Sequence, residues 1–105
     1  MDAFCLVHNP QNKQMVPILL TIPVNGRIDP VQHKGEEFAY ILEGHLQLTL
    51  YDPSNNTKEI YHLNPGDAIY YKSSLQRTWK NHSNKEGRCL IAKTPPSIRG
   101  DRGRH

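Results

Sequence analysis

Along His45-Leu46-Gln47-Leu48-Thr49-Leu50 the leucines take every second position and polar residues fill the gaps. A period of two belongs to a β-strand, whose successive side chains point to opposite faces. Short runs of strand-forming residues recur at 4–7, 16–22, 37–42, 45–51, 59–63, 68–71, 78–80 and 88–92. Between them stand turn formers: Asn9-Pro10, Asn25-Gly26, Asp52-Pro53-Ser54-Asn55-Asn56, Asn64-Pro65-Gly66-Asp67 and the stretch 84–87. The polar loop after Tyr51 leads into a second apolar run at Ile60-Tyr61, which predicts a hairpin. Phe38, Tyr40 and Leu42 alternate with Ala39, Ile41 and Glu43, so this strand is apolar on both faces near its middle. Such a strand belongs between layers or inside a barrel. With no helical period and no internal repeat, the pattern predicts an all-β fold, a sandwich or closed barrel. Gly44 and Gly66 fall where strands reverse, and glycine reaches positive φ without a Cβ clash.

Composition narrows this picture. A chain of 105 residues makes one domain. Its net charge of +3 owes much to Arg99, Arg102 and Arg104, in a basic tail over 97–105 that is expected to be flexible. The body, 1–96, is nearly neutral, so no direct DNA binding is expected of this chain. Cys5 and Cys89 form no CxxC pair and are expected as reduced thiols on strands. No signal peptide is expected, because Met1–Leu6 is too short an apolar run, and the longest apolar run, 15–20, is short and contains Pro17. The expected setting is the cytoplasm, away from membranes.

The segment His33-Lys34-Gly35-Glu36-Glu37-Phe38-Ala39-Tyr40-Ile41-Leu42-Glu43-Gly44 resembles the first signature of the cupin superfamily: a histidine, a glutamate after three residues, a glycine after six more. The stretch from Pro65-Gly66-Asp67 to Asn81 is similar to the second signature. Gly66 and Asn81 are in register there, while Lys72, Ser74 and Arg77 stand at the proline, glycine and histidine positions. More narrowly, Gly35-Glu36-Glu37-Phe38, Leu42-Glu43-Gly44, Pro65 to Tyr71, Ser73-Ser74-Leu75, Trp79-Lys80-Asn81 and Thr94-Pro95-Pro96 resemble the sensory domain of XRE-type helix-turn-helix regulators. The resemblance implies a single cupin barrel, a double-stranded β-helix or jelly roll, over 1–96.

It also implies an interior site. Cupin enzymes hold a divalent metal there with two or three histidines and a glutamate, a set that leaves coordination positions open. Carried over residue by residue, the ligand positions are Val31, His33, Glu37 and Arg77. Only His33 and Glu37 could ligate a metal, because valine has no lone pair to offer and arginine is a permanent cation. Two protein ligands rarely hold a metal against water, so a cofactor is not expected unless His45, His62 or His82 joins them. Arg77 could pair with Glu37 across the interior, or with His33 it could grip a carboxylate or phosphate of a ligand. Tyr40, Tyr70, Tyr71 and Trp79 are candidate aromatic walls for a small-molecule site.

Three functions follow as expectations. The first is a small-molecule-binding domain, the effector-binding part or a free-standing relative of a bacterial regulator, forming a homodimer. The second is a metal-dependent enzyme, an oxygenase or isomerase with a degenerate site; Arg77 in a histidine position argues against it. The third is a homodimeric barrel that binds no ligand.

Overall fold

The computed structural model describes residues 2–6, 15–31, 35–72 and 74–94. Nine strands run through them: β1 (Asp2–Cys5), β2 (Val16–Ile22), β3 (Arg27–Val31), β4 (Glu36–Glu43), β5 (Leu46–Asp52), β6 (Thr57–Leu63), β7 (Ala68–Lys72), β8 (Gln76–Lys80) and β9 (Gly87–Thr94). They form a five-stranded sheet in the order β1-β2-β9-β4-β7 and a four-stranded sheet in the order β3-β8-β5-β6. All the pairings are antiparallel. The described residues contain no helix long and apolar enough to cross a membrane.

The alternation read from the sequence sets which side of each strand faces in. Leu46, Leu48 and Leu50 of β5 are buried, as are Ala39 and Ile41 of β4 and Cys89 and Ile91 of β9. With Leu20, Ile22, Leu63, Tyr71 and Trp79 they make one core cluster drawn from both sheets. The hairpin expected after Tyr51 is present, with Asp52 opposite Thr57.

Strand β3 was not expected from the sequence. It carries Asp29 and Pro30, two residues disfavoured in strands, and its pairing with β8 shifts register between Ile28 and Val31. Proline is tolerated there because β3 is the last strand of its sheet, where one side needs no partner. The expected Asn9-Pro10 turn, the end of the 4–7 run and the tail 97–105 lie outside the described residues.

Two turns pin the strand ends. Asp67 N–H donates to Asn64 O at 2.9 Å, with Gly66 at φ +93°, the positive value that the third residue of a type II turn requires. Gly44, at φ +81°, closes the opposite side of β4, where an added Cβ would stand 2.8 Å from both Glu86 O and Gly87 Cα. Asn81 follows β8 and is buried; its Nδ2 donates to Ile22 O and Lys85 O, and its Oδ1 accepts from Ser83 N–H and Oγ.

Candidate functional site

The register brings the charged interior residues to one end of the barrel. Across the five-stranded sheet, Val16, Lys93, Glu37 and Tyr71 are consecutive cross-strand partners on the inner face. In the other sheet Arg77 lies opposite Leu50 on one side and Val31 on the other. The final inner rows of the two sheets thus face each other.

Glu37 is the centre of this end, with 1% of its surface exposed. Its Oε1 accepts from Tyr71 OH at 2.6 Å and from Arg77 Nε at 2.7 Å. Lys93 Nζ stands 3.9 Å from Oε2. Arg77 is itself 8% exposed, so the pair is largely withdrawn from water. Buried charges need such partners, because desolvation alone would favour neutral forms. Burial, reinforced by the Glu37 charge, pushes the Tyr71 phenol far above its usual range and keeps it a donor. Burial works to lower the Arg77 pKa, but its hydrogen bond and charge contact with Glu37 more than offset this and raise it. The Lys93 ammonium is held below its usual value, first by burial and further by Arg77, with Glu37 opposing.

Among the described residues at this end, two donors have no partner. Arg77 Nη1 and Trp79 Nε1 are both shielded from solvent and make no hydrogen bond. Both side chains leave the same face of β8, two residues apart, and Trp79 is completely buried against the core.

The sequence-derived site is regrouped by these positions. Glu37, Arg77 and Trp79 lie inside the barrel. Tyr40 and Tyr70 do not, and their assignment as interior walls is corrected: they are 39% and 58% exposed. On β4 and β7 the inward positions belong to Glu37, Ala39, Ile41 and Tyr71, so parity sends Tyr40 and Tyr70 outward. His33 lies outside the described residues. His45, His62 and His82 line a cleft at the far end, where β5 begins and β6 and β8 finish, and His45 Nδ1 lies 2.6 Å from Asn64 Oδ1. They therefore cannot complete a set around Glu37. Lys93 was missed; counting by twos from Cys89 and Ile91 would have turned it inward.

The described residues do not fit a divalent metal at Glu37. The carboxylate oxygen that would ligate it is already shared by a guanidinium and a phenol, with an ammonium beside its twin. No group of three or more His, Cys, Asp or Glu side chains among the described residues is arranged to hold a metal.

A barrel of two facing antiparallel sheets, strung in this order, defines the double-stranded β-helix class. A family model for the cupin domain matches residues 18–93, and the chain belongs to that family. No curated protein matches it. Among solved structures it is similar to TT1209 from Thermus thermophilus, with TM-score 0.75 and 19% identity over 90% of this chain and 83% of that one. It is similar to the cupin domain of an XRE family transcriptional regulator from Enterobacter cloacae, with TM-score 0.72 and 11% identity over 90% of this chain and 96% of that one. Oxalate oxidase in complex with the substrate analogue glycolate matches with TM-score 0.72 and 13% identity over 77% of this chain. The matched part is 42% of the oxalate oxidase chain. At these identities the likeness is one of fold.

Proposed function

We propose that this chain is a small-molecule-binding cupin domain that works without a metal at Glu37, as the effector-binding part or a free-standing relative of a bacterial transcriptional regulator. The observation that carries the reading is the Arg77–Glu37 contact of 2.7 Å at the interior position where the family's metal ligands stand. A guanidinium there repels a divalent cation and takes up the carboxylate that would bind it. The orphaned donors of Arg77 and Trp79 supply polar anchor points next to the apolar core, and a few polar groups against apolar walls are the usual make-up of a small-molecule site. The extent of the match to the regulator's cupin domain supports the sensory role, and the outer face of the larger sheet, where Phe38, Tyr40, Leu42 and Tyr70 are exposed, supports a second copy seated there.

Two measurements test this. Protein purified without chelator is expected to carry substoichiometric metal, unchanged by Glu37→Ala. Thermal shifts against amino acids, polyamines, sugars and organic acids are expected to single out one class. Stoichiometric iron, manganese, nickel or zinc that is lost in Glu37→Ala overturns the reading in favour of a metal-dependent enzyme. A flat response across the whole panel overturns it in favour of a barrel without a ligand.

A further inference from the structure

We propose that the outer face of the four-stranded sheet binds an acidic oligosaccharide, at a site separate from the barrel interior. Alternation that buries Leu46, Leu48 and Leu50 turns the residues between them outward. On β5, β6 and β8 these outward side chains form three rows: Gln47 with His62 and Lys80, Thr49 with Ile60 and Thr78, and Tyr51 with Lys58 and Gln76. All but His62 line a cleft of about 240 Å³, which Arg27 of β3 also borders, so a ligand has room there without displacing the core.

Charge and polarity narrow the partner. Among the described residues, no carboxylate lines the cleft. Nor does any side-chain hydrogen bond or ion pair among them engage Gln47, Thr49, Lys58, Gln76, Thr78 or Lys80. Arg27 is already engaged, which leaves the two lysines as the anchoring cations. Lys58 and Lys80 stand two rows and two strands apart, about 16 Å between Cα atoms at ordinary sheet spacings. That separation suits two anionic groups joined by an uncharged length better than one compact anion. Between the lysines, the Thr49 and Thr78 hydroxyls and the Gln47 and Gln76 amides both donate and accept, as sugar hydroxyls do. Tyr51 OH donates to Asn56 Oδ1 at 3.0 Å, which fixes a half-buried ring against which the C–H face of a sugar can lie. A single-stranded nucleic acid asks for a succession of stacking platforms, and Tyr51 is the one aromatic side chain among the described residues lining the cleft.

The probe is trigalacturonate, with maltotriose as its neutral counterpart and polyphosphate and polyglutamate as polyanions without sugar. Trigalacturonate is expected to bind the wild type in calorimetry, to weaken as salt is raised, and to move the backbone amide resonances of Thr49, Ile60 and Thr78. Maltotriose and the two polyanions are expected to bind at least tenfold more weakly. Lys58→Gln with Lys80→Gln is expected to weaken trigalacturonate at least tenfold with unchanged circular dichroism, whereas Lys58→Arg with Lys80→Arg is expected to keep it. Maltotriose binding as tightly removes the need for acid, and polyphosphate or polyglutamate binding as tightly removes the need for sugar; either result overturns the assignment. So does an absence of trigalacturonate binding, or binding undiminished by Lys58→Gln with Lys80→Gln. The interior reading stands or falls separately, because that double variant leaves Glu37 and Arg77 intact.

Discussion

Burying Glu37 removes a carboxylate from water, and Arg77, Tyr71 and Lys93 together replace the lost hydration. Removing one partner of such a pair costs far more than removing both, because the survivor keeps its desolvation penalty. Arg77→Met is therefore expected to lower the unfolding free energy by about 3–5 kcal/mol in urea titrations. Adding Glu37→Gln is expected to recover most of that loss. An equally damaged double variant would show that Arg77 acts through packing and not through charge.

Cys89 makes a second prediction at this scale. Burial pushes its thiol up from 9 to about 12, with Arg77 opposing and Glu37 assisting. A raised folded pKa means that the stabilisation is complete below pH 9 and is lost as pH climbs towards about 12, while only the unfolded chain releases the proton. Relative to Cys89→Ala, the wild type is expected to lose on the order of 1.4 kcal/mol per pH unit across that window. Parallel stability curves for the two proteins between pH 9 and 12 would refute it.

Strands and turns obey simpler rules. Gly44 needs a left-handed backbone and also leaves no room for a Cβ beside Glu86 O. Gly44→Ala is expected to cost about 1–3 kcal/mol in thermal unfolding. Gly66 has nothing within 4 Å of an added Cβ, so Gly66→Ala should cost only its backbone strain and less than Gly44→Ala. Asn81 ties the end of β8 to β2 and to the 83–85 turn with buried hydrogen bonds. The signature asparagine is thus a structural clamp here. Strands with clean alternation, such as β5, were legible in the sequence; β3 was not, because Asp29 and Pro30 contradict local strand preference, and pairing with β8 and the packing of Ile28 against the core hold it in place.

At the scale of the molecule, the outer face of the five-stranded sheet stands out. Phe38, Tyr40, Leu42 and Tyr70 are exposed there, and Pro17, Leu19, Leu90 and Ala92 join them in register. A contiguous apolar patch of this kind marks an association surface. Its rim holds both Glu43 and Arg88, 3.6 Å apart, and the two signs on one patch suit a two-fold contact in which each copy meets the same surface. Light scattering is expected to report a dimer for the wild type and a monomer for Phe38→Lys with Tyr70→Lys. A wild-type monomer at micromolar concentration would remove the second copy from the proposal. The smaller sheet carries Arg27, Lys58 and Lys80 in one outer cleft, a clustering of cations that their wide spacing in the chain conceals.

The sequence by itself determined the all-β class, the leucine face of β5, the positions of the Gly44 and Gly66 reversals and the family, since each rests on neighbours along the chain or on short ordered motifs. Only the tertiary structure decided which aromatic residues look inward, that Lys93 and Tyr71 join Glu37, and that three histidines gather at the end remote from it. Those facts depend on register between strands far apart in sequence, and a shift of one residue would send every side chain to the opposite face.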